Sequence, residues 1–298
     1  MVSWFKKGLV IAKNQLYKTG KDSRLWISLI LAVCILIQYL APLNLYGVKF
    51  HAGTTPFLLP VLYADGYISN GLLKVLLYLV IIAVFCDAPF LSGQTAYEAV
   101  RSGVSAWHLG KILYLWLMSF LYPLFLSLVS FLIVLPTVTV HDLWGSTLRG
   151  LAAFDGSVLY YTSSLMPPVK VILSIYPWSA HLLTFTASAL SNVLLGHLIY
   201  FGNLFTGKSS IGTAAAVLMV MLDPIVEYWG SSGAFFHWLY RISPVTWSSI
   251  EHWKIVGSAE PLSPAFVFRG YLLLTALLEG AIFLTGPKRR SILSAGTQ

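Results

Sequence analysis

The chain has 298 residues, of which 57% are hydrophobic and only 10% charged, and its formal net charge is +8. With a mean hydropathy of +0.76, and against the roughly 25% charge of a soluble domain, this composition excludes a water-soluble enzyme and identifies an integral membrane protein. Cys34 and Cys86 sit in or at the end of apolar runs, which excludes a disulfide framework and a cysteine metal knuckle.

Residues 1–24 hold Lys6, Lys7, Lys13, Lys18, Lys21 and Arg24 against a single acid, Asp22. Trp4, Phe5, Leu9, Ile11, Ala12, Leu16 and Tyr17 recur between them at helical spacing. The pattern predicts a basic amphipathic helix in the membrane interface, with a disordered basic tail as the alternative. The apolar run that follows is too long for the core of a cleaved signal peptide.

That run, Leu25–Tyr46, is the first expected span, long enough for a ~30 Å hydrocarbon core. A glycine- and proline-rich loop over 48–71 leads to the second, Leu72–Phe90, with Lys74 near its outer end where it can snorkel. The third is Ile112–Val134, kinked at Pro123. Residues 135–179 read as an outer region, partly helical and partly membrane-hugging, in which Pro177 argues against a further crossing. Ala180–Phe201 is the fourth span, 202–210 a tight polar turn, and Ile211–Val226 the fifth, with Pro224 breaking its helix. A tryptophan-rich outer region over 227–265 precedes the sixth span, Phe266–Leu284. Residues 287–298 form a short basic tail with Lys288, Arg289 and Arg290.

The fold class is therefore an all-α integral membrane protein of six transmembrane helices spanning 25–286, with both termini on one side. Twelve of the nineteen Lys and Arg, and three acids, fall in 1–24, 87–111, 202–210 and the tail, giving those segments +9 and the rest −1. The positive-inside rule puts them in the cytoplasm. Topology and anionic lipid then account for the basic charge without nucleic acid. The absence of Asn-x-Ser/Thr sites fits a bacterial plasma membrane.

Between spans two and three, Asp87–Lys111 is longer than the ~2–8 residues a passive connector uses. Thr95 and Glu98 have capping-box spacing, and Gly103 follows Arg101 where a helix can stop. A short helix over 96–102 is expected, presenting Tyr97, Glu98 and Arg101 outward; a solvated connector with an incidental cap is the alternative.

Chemistry-bearing patterns are few. Residues 202–209, Gly-Asn-Leu-Phe-Thr-Gly-Lys-Ser, match the phosphate-binding loop of nucleotide hydrolases. That loop needs a preceding strand and a soluble sheet; here it joins two spans and reads as a glycine-bent turn. Asp223 and Glu227 are one helical turn apart near the outer boundary, and Glu279 lies deeper. Each is either a polar anchor or part of a substrate path. His181 and His197 stand about 24 Å apart on one helix and cannot share a metal. No spacing supports catalytic residues, a cofactor site or a metal site in this chain.

Six spans, an amphipathic N-terminus and a helical loop between spans two and three resemble the permease subunit of the type-2 ATP-binding-cassette exporter family. The similar residues are Glu98, Arg101, Gly103, Trp107, Gly110 and Lys111, an acidic-then-basic helix followed by Gly, an aromatic and Gly-Lys. The stretch 242–247, Ile-Ser-Pro-Val-Thr-Trp, is similar to the Ser-Pro turn near that family's re-entrant outer helices. The resemblance implies that 96–102 is a cytoplasmic coupling helix. Thr95, Tyr97, Glu98 and Arg101 would engage a separate ATPase, which would hold ATP and magnesium. It also implies a second permease subunit, identical or homologous, and export of an amphipathic, lipid-like or peptide substrate. A membrane-embedded enzyme acting on lipid, and a non-transporting sensor or immunity protein on the same scaffold, are the rival readings.

Overall fold

A chain crossing lipid must satisfy its backbone polar groups internally, which helices do within one segment. The computed structural model describes residues 2–64, 68–91, 95–139, 143–153, 167–257 and 259–286, and among these it contains helices and turns but no strand beyond two isolated bridges. Among the described residues, five helices are long and apolar enough to cross a membrane: Ser23–Phe50, Val104–Thr137, Pro177–Thr206, Ser209–Gly230 and Pro264–Thr285. The protein is a multi-pass membrane protein.

The amphipathic segment forms α1, Val2–Gly20. Asp22 caps α2, Ser23–Phe50, by accepting from the Arg24 amide at 3.0 Å, and Pro42 sits inside this helix. A single turn, α3 (Leu59–Leu62), precedes α4, Ile68–Phe85. The expected second span overran its helix: residues 86–90 form a turn, with a cis Ala88–Pro89 bond and Phe90 at φ 60°. Next come α5, Thr95–Ser102, and α6, Val104–Val134. The third expected span began too late, at Ile112. Trp107, His108 and Lys111 read as polar loop residues in sequence, yet all three are buried against other helices.

The outer region carries α7, Gly145–Ala153, and α8, Val169–Ser174. Pro177 does not bar a crossing there. It occupies the first turn of α9, Pro177–Thr206, where a missing amide hydrogen costs nothing. Helix α10, Ser209–Gly230, runs through Pro224 without ending, contrary to expectation; membrane helices tolerate an interior proline when neighbours satisfy the freed carbonyl. A 3-10 segment over Ala234–Arg241 and two shorter ones lead to α11, Pro264–Thr285, capped by Ser263 accepting from the Phe266 amide at 3.2 Å. The basic tail, 287–298, lies outside the described residues.

Helix α9 is the most buried of the five and forms the centre of the bundle. Its small residues permit close neighbours: a Cβ at Gly196 would stand 3.1 Å from the Phe85 ring, and one at Gly202 would stand 2.6 Å from the Gly212 Cα. The stretch expected as a polar turn is therefore mostly helix. Residues 202–206 complete α9, Gly207 reverses the chain at φ 74°, and α10 starts at Ser209. Asn203 locks this hairpin. Its Oδ1 accepts from the Gly212 amide at 2.9 Å, and its Nδ2 donates to the carbonyls of Ala88 at 2.6 Å and Cys86 at 3.1 Å. Of the glycines that imitate a phosphate loop, Gly202 serves helix packing and Gly207 the reversal of the chain.

Two ends of the bundle are thereby defined. One end gathers α1, the 86–91 turn, α5 and the α9–α10 hairpin. The other is tied by the Thr54 amide donating to Thr137 O at 2.8 Å, Ser249 Oγ to Tyr63 O at 2.7 Å, and Trp144 Nε1 to Ile175 O at 2.7 Å.

Candidate functional site

At the first end, α1, α5 and the start of α6 form one unit. Ile11 of α1, Ala99 of α5 and Trp107 of α6 make a small apolar cluster of their own. Close approach of α1 to α6 depends on glycine: a Cβ at Gly110 would lie 2.6 Å from Ile11 Cβ and 2.8 Å from the Gly8 carbonyl oxygen. Polar bonds finish the join. Lys111 Nζ donates to Gln15 Oε1 at 2.6 Å, and Lys18 Nζ meets Glu98 Oε1 at 2.6 Å. Arg24 pairs with Asp87 beside them.

Helix α5 starts one residue earlier than expected and stops where expected. The Gly103 amide donates to Ala99 O at 3.0 Å, and Gly103 then turns the chain at φ 90°, ψ 137°, a conformation essentially confined to glycine. One residue thus separates α5 from a 31-residue helix. The Thr95 hydroxyl of the expected capping box lies outside the described residues. Tyr97 is 69% exposed and Val100 85%, so the outward face is apolar as well as basic through Arg101. Glu98 is turned toward Lys18 of α1. No local pattern marks Val100 as exposed or pairs Glu98 with Lys18, eighty positions away.

The acids expected along the spans are placed differently. Asp223, expected near the outer boundary, and Lys74, expected to snorkel, are both sequestered from water. The Lys74 and Asp223 side chains are 0% and 1% exposed and form an ion pair between α4 and α10, Nζ to Oδ2 at 2.8 Å. Thr246 Oγ1 also donates to Asp223 Oδ1 at 2.7 Å, tying the outer segment to both helices. Glu227 does not join this group; its carboxylate meets His252 Nε2 at 3.0 Å, and the His252 ring stacks on Tyr240 at 4.2 Å.

Glu279 of α11 accepts from Trp116 Nε1 of α6 at 2.8 Å, and His197 Nε2 of α9 is 3.2 Å from the same oxygen. The carboxyl side chain remains 28% exposed at this three-helix seam. His181 sits elsewhere, near Ser127 Oγ at 3.3 Å and edge-on to Phe57. Among the described residues no cluster of three or more His, Cys, Asp or Glu could hold a metal.

The chain matches no family model, no curated protein and no solved structure.

Proposed function

We propose that the chain is the membrane permease subunit of an ATP-driven exporter, similar to the type-2 ATP-binding-cassette permeases, with α5 as the surface that a separate ATPase engages. One observation carries the reading. An exposed amphipathic helix with Tyr97, Val100 and Arg101 on its outer face is joined through Gly103 alone to α6. A push on α5 is therefore delivered to a rigid helix that packs against α1, α2 and α9, which is how helix shifts at one interface become movement at another. In this reading α4 is the sixth crossing, the end holding α1 and α5 is cytoplasmic, and the membrane is a bacterial plasma membrane. ATP and magnesium belong to the ATPase. The substrate path lies between two permease subunits, identical or homologous, and takes an amphipathic, lipid-like or peptide molecule. Glu279, still partly exposed where α6, α9 and α11 meet, fits a seam facing that second subunit.

Val100→Asp tests the reading, because Val100 is the most exposed apolar residue of α5 and takes no part in holding α1. The variant inserts normally and loses the co-purifying ATPase. Retention of the ATPase at wild-type stoichiometry refutes α5 as the docking surface.

A further inference from the structure

A cavity of about 540 Å³ opens between α1, α5 and the foot of α6. Five cations line it, Lys6, Lys7, Lys18, Arg101 and Lys111, with one carboxylate, Glu98. That carboxylate is already engaged by Lys18. Lys111 is the deepest of the five, 2% exposed. Its ammonium donates to the neutral Gln15 amide oxygen at 2.6 Å and lies 5.3 Å and 5.7 Å from the ring centres of Trp107 and Phe90. Among the described residues no carboxylate pairs with it. Buried charges are ordinarily paired, and π faces and one amide supply only part of what an ammonium loses on leaving water. The missing component is an anion, and the cavity is where it fits.

We propose that this cavity binds the phosphate of an anionic glycerophospholipid, with Lys111 at its base and Lys6, Lys7 and Arg101 around its mouth. The position favours a lipid. Trp4, Phe5 and Leu9 of α1 are exposed apolar residues on a basic amphipathic helix, which places α1 at headgroup depth. The mouth is flanked by exposed Val10 and Tyr97, surfaces for glycerol and the upper acyl chain. The volume suits one headgroup and not a folded protein segment. A lipid so held joins α1 to α5 and α6 and makes the position of α5 dependent on membrane composition. The site does not rest on the permease reading.

The test uses the full chain in phosphatidylcholine nanodiscs, with and without phosphatidylglycerol, comparing wild type, Lys111→Met and Lys6→Ser/Lys7→Ser. Native mass spectrometry counts retained phosphatidylglycerol, and thermal unfolding reports stabilisation. Wild type retains a phosphatidylglycerol and gains thermal stability from it. Preference for phosphatidylglycerol over phosphatidylcholine falls about fivefold for each cation removed. In phosphatidylcholine alone Lys111→Met stays close to wild type in stability, because relief of a buried charge offsets the lost bond to Gln15. The rim variant leaves the core intact, so it reads the site even if Lys111→Met folds poorly. Equal retention by all three proteins overturns the site. Full occupation by inorganic phosphate at equal concentration, or by an acidic segment of a co-purified protein with no lipid retained, overturns the lipid assignment.

Discussion

Lys74 and Asp223, on α4 and α10, form an ion pair from which water is almost completely excluded, Nζ to Oδ2 2.8 Å. Removing one partner of a buried pair typically costs about 3–5 kcal/mol, whereas replacing both with apolar residues is often neutral. Lys74→Met and Asp223→Leu singly are therefore expected to lower thermal stability sharply in detergent, and the double variant to recover much of it. Thr246 loses its acceptor in the double variant, which keeps the recovery incomplete. Additive losses would show that the two charges are stabilised independently.

His197 and Glu279 make a different arrangement. His197 Nδ1 is 2.7 Å from the Val193 carbonyl oxygen, which only accepts, so Nδ1 carries hydrogen. A neutral ring then turns a lone pair toward the Glu279 oxygen 3.2 Å from Nε2. The contact is favourable when one further proton lies between ring and carboxyl. Glu279→Gln keeps a carbonyl oxygen for the Trp116 indole at that shared position, so it should lose less stability than an apolar residue. Glu279→Leu leaves the Trp116 indole N–H without its acceptor and should cost about 1 kcal/mol or more. Thermal unfolding followed by tryptophan fluorescence distinguishes them; equal losses would mean that the charge itself is required.

Gly103 holds φ 90° between α5 and α6. A side chain there costs about 1–3 kcal/mol or forces the junction to another angle. If α5 is the ATPase-docking surface proposed above, Gly103→Ala should insert normally and still bind that ATPase, while transport-coupled ATP hydrolysis falls. Unchanged coupling would mean that the junction angle carries no mechanical role.

The seat of α1 is equally specific. Gly110→Leu places atoms where Ile11 and the Gly8 carbonyl already stand, so α1 should lift from α6. With Cys34 and Cys86 replaced by Ser, a Lys18→Cys/Glu98→Cys pair should be joined by a short bifunctional thiol reagent, and adding Gly110→Leu should abolish the cross-link. A persistent cross-link would place α1 independently of this contact.

The helical membrane class, the helical form of the basic N-terminal segment and the stop at Gly103 were legible in sequence, because each rests on local signals: hydropathy, periodicity and a residue that tolerates positive φ. Polarity misled wherever a partner was distant. Lys111, Trp107 and His108 looked like loop residues because nothing nearby in sequence reveals that Gln15, Ile11 and Tyr200 cover them. Lys74 and Asp223 lie 149 positions apart, yet two opposite charges on otherwise apolar helices were a signal of pairing. Pro224 was over-read as a helix stop by a rule that holds in water. The resemblance of 202–209 to a phosphate loop dissolves because residues 202–206 are helical and Gly202 lies against Gly212.

The most direct test of the permease account is mild-detergent purification of the tagged chain from its native membrane, with the co-purifying proteins identified and counted. The account predicts a stoichiometric ATPase subunit, released by Val100→Asp, and either one or two kinds of six-span subunit. A chain that purifies without any ATPase, across several detergents and with nucleotide present, would contradict it and leave α5 as a connector.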